Sequence, residues 1–146
     1  ESVDYLKSLG AAQVLLRQEI DYGKRPLEAA RFGGAIDNVG GEMLTWLTRT
    51  VDNWGNIASI GLAGGADLHT TVMPFILRGV NLLGINSSAT LRDMRLVVWN
   101  RIATDLKPRH LERIATRTIA FDDLPGSFDA YLQGTVTGRA VIKIGS

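Results

Sequence analysis

The chain has 146 residues, 45% of them hydrophobic and 21% charged, and it contains no cysteine. This length and balance predict one packed domain and exclude wholesale disorder. The net charge of +1 gives no support to a nucleic-acid partner, and the missing cysteines remove disulfides, thiolate metal sites and cysteine nucleophiles.

In chain order, the first ten residues read as a helix, with Val3, Leu6 and Leu9 on one face and Gly10 as its stop. So abrupt an opening, without methionine, reads as a fragment. Gln13 to Arg17 suits a buried strand. A polar stretch follows, with Pro26 and a short helix expected around Leu27 to Arg31. Gly34 to Val39 reads as a second strand. Gly41 to Val51 reads as a helix with Met43, Leu44, Leu47 and Val51 on one face. Asn56 to Ala63 is a third strand. Met73 to Arg78 is a short helix with Thr71 as its N-cap and Pro74 in its first turn. Val80 to Ile85 is a fourth strand. Leu91 to Leu106 is a longer helix, opened by a capping-box pattern at Thr90–Asp93, with Leu91, Met94, Val98, Ile102 and Leu106 as its buried stripe. In the tail, Thr116 to Phe121 reads as a strand, Leu124 to Gln133 as a helix ended by Gly134, and Arg139 to Ile144 as a last strand. Strand–helix alternation of this kind predicts an α/β fold with a parallel sheet. The longest apolar run, Val72 to Leu77, is broken by Pro74 and falls far short of the ~20 residues that span a bilayer, and the opening residues do not read as a signal peptide.

Glycine is 16 of 146, well above the usual ~7%, and most glycines stand at the edges of apolar runs. Gly61-Leu-Ala-Gly-Gly65 follows a strand; it reads either as a close backbone approach to a flat or phosphorylated ligand or as a tight turn. Asp37, before Val39-Gly-Gly41, is either a ribose or cofactor ligand or a turn and cap carboxylate. Ser87 and Ser88 follow the fourth strand as site hydroxyls or loop residues. His69 and His110 lack metal-ligand spacing and read as surface or loop histidines. Trp46, Trp54 and Trp99 read as core or groove residues. Arg92, Arg95 and Arg101 read as the solvated side of the long helix. There is no Gly-x-Gly-x-x-Gly opening a helix and no Walker A sequence. From the residues alone, the chain is a nucleotide-binding type of sheet with no identifiable catalytic group.

Several stretches resemble one family. They are Tyr5-Leu-Lys-Ser-Leu-Gly-Ala11, Arg25-Pro-Leu-Glu28, Gly34-Ala-Ile-Asp-Asn-Val-Gly40, Gly61-Leu-Ala-Gly-Gly65, Thr70-Thr-Val-Met-Pro-Phe-Ile-Leu-Arg-Gly79, Leu83-Gly-Ile-Asn-Ser87 and Gly134-Thr-Val-Thr-Gly-Arg-Ala-Val141. Together they resemble the acryloyl-CoA reductase, quinone oxidoreductase-like subfamily of the medium-chain dehydrogenases/reductases, over essentially the whole chain. The chain departs from the pattern at Asn56, where the subfamily has a second glycine after Gly55.

The resemblance implies an NADPH-dependent, zinc-independent reductase of enoyl thioesters, enones or quinones, cytoplasmic, with a small-molecule substrate and neither a nucleic-acid nor a membrane partner. It implies an incomplete Rossmann-type sheet, strands 3 to 6 of the cofactor domain, over residues 1–106. Residues 107–146 would be a strand–helix–strand tail that in the family returns to the catalytic domain. In the usual order 3-2-1-4-5-6, absence of strands 1 and 2 separates strands 3 and 4 by roughly 14 Å. The exposed edges point to a homodimer or strand-exchanged self-association. Cofactor contacts implied by the matching motifs are Arg17 at the adenosine 2′-phosphate end, Leu62, Ile76 and Ser87 beside the nicotinamide, and Arg139 at the rim. Catalytic residues are unassigned and no metal ligand is expected. The chain by itself is expected to be inactive and to bind NADPH poorly. The alternatives are a non-catalytic, self-associating nucleotide-fold module and a methyltransferase-type sheet.

Overall fold

The computed structural model describes residues 2–145. Helix α1 (Ser2–Ser8) stops at Gly10, whose φ of 104° takes the chain out of the helix. Residues 13–16, expected as a strand, are irregular, and Arg17–Glu19 forms one turn of 3-10 helix. A strand exists only through its ladder, and no described strand pairs with this segment. The helix expected near Leu27 to Arg31 is also absent. Its backbone groups are taken by tertiary bonds: Glu28 N–H donates to Arg49 O at 3.0 Å and Arg31 N–H to Thr50 O at 2.8 Å, while Arg78 donates to Glu28 O.

Packing divides the chain into two compact units, Arg17–Arg95 and Glu1–Leu16 with Leu96–Ser146. In the first, strands β1 (Phe32–Asp37) and β2 (Val51–Ser59), joined by helix α2 (Gly41–Thr50), lie parallel. Helix α3 (Met73–Arg78) precedes β3 (Asn81–Gly84), which pairs parallel with β2, so the sheet order is β1-β2-β3. Three of the four strands expected before residue 90 are therefore present.

The period-2 geometry of strands puts Ala35, Ile57 and Leu82, opposite one another in register, on the face that meets α2. There the core forms from Leu44, Trp46, Leu47, Val51, Ile57 and Val80. Tyr22 and Phe32 pack edge-on against Trp46. Two of the three threonines that α2 buries donate to the helix itself, Thr50 to Trp46 O at 2.9 Å and Thr48 to Thr45 O at 2.7 Å, while Thr45 Oγ1 accepts the His69 N–H at 3.1 Å. The opposite sheet face carries Ile36 and Leu83, both exposed.

Between the first two strands the register jumps, Phe32 facing Val51 but Gly34 facing Asn56. The extra residues of β2 bulge and present Trp54 at φ 63°, its exposed indole lying against Gly79. The N-cap of α3 is Val72, one residue later than expected, although Thr71 Oγ1 accepts the Met73 N–H at 3.3 Å.

Helix α4 (Arg92–Ala103) contradicts its expected buried stripe: none of its residues is buried. Leu96, Val97 and Trp99 are apolar beside Met94 and Val98, so the apolar residues encircle the helix instead of marking one face. Thr90 does not cap it; its hydroxyl donates to Asn86 O at 3.1 Å. Within the second unit, α5 (Leu111–Ile114) runs directly into β4 (Ala115–Ala120). A 3-10 stretch over Phe121–Ser127, containing Pro125, precedes α6 (Phe128–Leu132), and Gly134 at φ 66° ends it. Strand β5 (Arg139–Lys143) pairs parallel with β4, so the tail is strand–helix–strand as expected.

Candidate functional site

Parallel β1, β2 and β3 bring their carboxyl ends to one edge of the sheet, the edge at which open α/β sheets bind ligands. Two glycine turns leave that edge. The first, residues 38–41, connects β1 to α2; the second, residues 60–65, follows β2. Asp37 holds both. It is 2% exposed. Its Oδ1 accepts the N–H groups of Val39 and Gly40, each at 3.1 Å, and its Oδ2 accepts Gly40 N–H at 3.0 Å. Its main-chain oxygen accepts Ile60 N–H at 2.9 Å and Gly61 N–H at 3.3 Å. Of the two readings open from the sequence, the carboxylate of the turn is the one seen. A group this enclosed has no face left for a ribose hydroxyl.

The turns then interlock. Gly64 N–H donates to Val39 O at 2.6 Å, and Gly40 and Gly65 form an isolated parallel bridge. Gly40 sits at φ 68°, and a Cβ there would run into Gly65 O. A Cβ on Gly61 would stand 2.5 Å from Asn38 O. The backbones approach this closely because neither turn has side chains in the way. Beside them lies a cleft of about 270 Å³ lined by Gly40, Gly41, Leu44, Ser59, Ile60, Gly61, Leu62, Gly65 and Ala66. Pockets that enclose a whole small ligand run to roughly 300–1,000 Å³, so this one fits one end of a larger molecule.

Of the residues expected at the site, Leu62 lines this cleft and is 67% exposed. The Arg17 guanidinium reaches the same turns, its Nη2 being 3.3 Å from where a Cβ on Gly64 would stand. Ile76, on α3, is exposed and Ser87 follows β3; neither lines the cleft. Ser87 O accepts Arg95 Nη2–H at 2.7 Å. Arg139 opens β5 in the other unit and donates to Gly138 O at 2.9 Å. The backbone of Gly40 and Gly41 and the side chain of Ile60 join the site without having been singled out; the Gly40-Gly41 pair just ahead of a helix was the available signal.

His69 N–H donates to Thr45 Oγ1 at 3.1 Å, and His110 lies 4.0 Å from Glu112. Among the described residues no group of acidic or histidine side chains is arranged to hold a metal ion. No described helix is long and apolar enough to cross a membrane.

No family model matches the chain. It is 46% identical over 145 residues to the acrylyl-CoA reductase AcuI of Ruegeria pomeroyi, and 41% identical over 145 residues to YhfP of Bacillus subtilis, whose name is that of a quinone oxidoreductase. Each alignment covers 99% of this chain and 44% of the relative. The crystal structure of Bacillus subtilis yhfP with NAD bound superimposes with a TM-score of 0.91 at 40% identity, over 98% of this chain and 44% of that one. Escherichia coli YhdH with bound NADPH gives 0.85 at 39% identity, over 99% and 44%. The chain thus spans less than half the length of the curated relatives it matches.

A parallel α/β sheet with glycine turns on its carboxyl edge, superimposing this well, matches the C-terminal, Rossmann-like half of medium-chain dehydrogenase/reductase structures. Within that class the chain is similar over nearly its whole length to an acrylyl-CoA reductase and to a protein named a quinone oxidoreductase.

Proposed function

We propose that the chain is the cofactor-binding portion of a cytoplasmic, zinc-independent reductase that uses NADPH on the double bond of an acryloyl-CoA-like enoyl thioester, an enone or a quinone. The observation that carries this is the interlocked pair of glycine turns on the carboxyl edge, in a chain 46% identical to an acrylyl-CoA reductase.

The residues fit such a cofactor. The cleft is lined largely by backbone and small apolar groups, suited to a flat ring with an amide, and Leu62 packs beside it. No described acid pairs with the Arg17 guanidinium beside the turns, so it is available to a cofactor phosphate. When bound, NADPH supplies hydride to the β-carbon of the acceptor, a proton then being added at the α-carbon. Ile76, Ser87 and Arg139 complete the proposed contacts. In this reading residues 1–106 serve the cofactor and residues 107–146 return to a catalytic domain. The exposed edges of β1 and β3 suit self-association as a homodimer.

These 146 residues by themselves are inactive and bind NADPH more weakly than micromolar, because a dinucleotide needs a pyrophosphate cradle that they do not supply. The test is a chimaera in which they replace the corresponding 44% of the Ruegeria reductase. Acrylyl-CoA-dependent loss of NADPH absorbance by the chimaera, and none by the chain alone, is the expected result. A folded chimaera that oxidises NADPH with neither acrylyl-CoA nor a quinone overturns the proposal, and micromolar NADPH binding by the chain alone, read by calorimetry, overturns the inactive-piece reading.

A further inference from the structure

The start of α2 would ordinarily attract anions. The first N–H groups of a helix lack intrahelical acceptors, and with the helix dipole they favour phosphate. Here Gly40 is the N-cap of a ten-residue helix, and Gly40 and Gly41 both line the cleft. A glycine-rich entry to a helix, after a strand, is the arrangement that dinucleotide folds use for phosphate.

This entry differs in being partly filled from within, the Gly40 N–H already being taken. The Asp37 carboxylate, 98% enclosed by its 2% exposure, takes the N–H of Gly40 with both oxygens and that of Val39 with one. It brings its own negative charge to the end of the helix. A phosphate placed in the cleft would meet a carboxylate on the far side of the same glycine turn, in an enclosed setting where like charges repel strongly. No basic side chain lines the cleft to offset that repulsion. Arg17 stands over Gly64, in the second turn and outside the lining. The nearby groups that remain suit an uncharged, flat, polar ligand: glycine backbone, the Ser59 position and the apolar Ile60, Leu62 and Leu44.

We propose that Asp37 is a specificity-determining residue, an internal carboxylate that makes the glycine cleft a seat for a neutral carboxamide ring and closes it to phosphate. It acts through the turn and touches no ligand. The assignment rests on the reading of this cleft as the nicotinamide end of a cofactor site. It also divides the labour on this edge, the cleft taking the uncharged ring and Arg17 any phosphate.

The experiment uses the whole 146-residue chain, labelled with nitrogen-15. Backbone amide shifts are followed while it is titrated separately with nicotinamide and with inorganic phosphate, both to millimolar levels. In the wild type, Gly40, Gly41, Gly61 and Gly65 should respond to nicotinamide and not to phosphate. Asp37→Asn, which keeps the shape and removes the charge, and Asp37→Ala, which frees the donors, should reverse this. Phosphate should then move the Gly40 and Gly41 amides with affinity gained about tenfold or more, equivalent to ~1.4 kcal/mol, while the nicotinamide response falls. A purely structural aspartate predicts loss of both responses and no gain. Phosphate binding at these amides in the wild type, or equal changes for both ligands in the variants, overturns the proposal. Should both variants fail to fold, phosphate-induced shifts at Gly40 and Gly41 in the wild type still overturn the proposal. Absence of any nicotinamide response in the wild type overturns the cleft reading and the assignment with it. A wild-type nicotinamide response without reversal in folded variants overturns only the role of Asp37.

Discussion

Residues 17–95 and the remainder of the chain have similar ingredients and different interiors. Both contain parallel strand pairs joined through helices. Yet every residue buried among those described lies between Asp37 and Val80. In the other unit Phe128, Leu132, Val141 and Ile144 are exposed, Leu132 at 85% and Ile144 at 82%. Secondary structure therefore does not by itself make a core. What distinguishes the first unit is α2, which lays Leu44 and Leu47 on a sheet face whose register already aligns Ala35, Ile57 and Leu82.

The sharpest way to break this contrast is to remove one tryptophan from each region. Trp46 is 4% exposed and holds Tyr22 and Phe32 edge-on. Trp46→Ala should cost about 3–5 kcal/mol, enough to unfold residues 17–95 in a urea titration. Trp99 is 59% exposed, and Trp99→Ala should stay within about 0.5 kcal/mol. Hydrogen exchange should agree, with slow amides in β1 and β2 and fast ones in β4 and β5.

Smaller effects separate two uses of left-handed backbone inside the first unit. Gly40→Ala forces a Cβ into Gly65 O at φ 68°. It should destabilise by about 2 kcal/mol and part the two glycine turns, read as loss of nicotinamide-induced shifts. Trp54 adopts φ 63° without being glycine. Trp54→Gly removes a strain of about 1 kcal/mol and should raise the urea midpoint by a corresponding amount. The same dihedral thus locks a site at one position and is a local cost at the other.

How much of this was legible in the sequence follows the same division. The apolar stripe of α2 and the alternation of strand with helix from β1 to β3 were readable because tertiary packing agrees with them. The Gln13 to Arg17 run has the composition of a strand, but composition carries no partner, and without a ladder the segment stays irregular. The Leu27 to Arg31 helix was lost to Arg49 and Arg78, fifty residues away in the second case, which no local pattern reveals. At the site, the Gly61–Gly65 turn was visible as punctuation next to a strand. That Asp37 ties it to the Gly40 turn was not, since the bonds run from one carboxylate and its own carbonyl to two separate loops.

The smallest expected effect tests whether the contrast extends to charge. Each region has one carboxylate held below its ordinary range by an arginine on the same local segment. For Glu28 the leading cause is the Arg25 side chain, whose Nε and Nη2 donate to Oε2 at 2.9 and 2.6 Å, followed by the Arg25 N–H on Oε1. For Asp105 it is the Arg101 side chain, with Nη2 2.7 Å from Oδ2. A depressed carboxylate stabilises the fold above its unfolded value and loses that contribution as the pH falls through its lower folded value. Both pairs therefore predict acid sensitivity below the ordinary carboxylate range and none near neutrality. They differ in surroundings: the Glu28 side chain is 14% exposed, and that of Asp105 is 56% exposed, just past the end of α4 and open to water and salt. The Glu28 backbone is also bound by Arg49 and Arg78. Glu28→Gln should flatten the acid limb of the urea midpoint against pH, whereas Asp105→Asn should leave it unchanged. Equal responses would mean that neither bridge contributes through its environment, and that the difference between the regions lies wholly in their apolar packing.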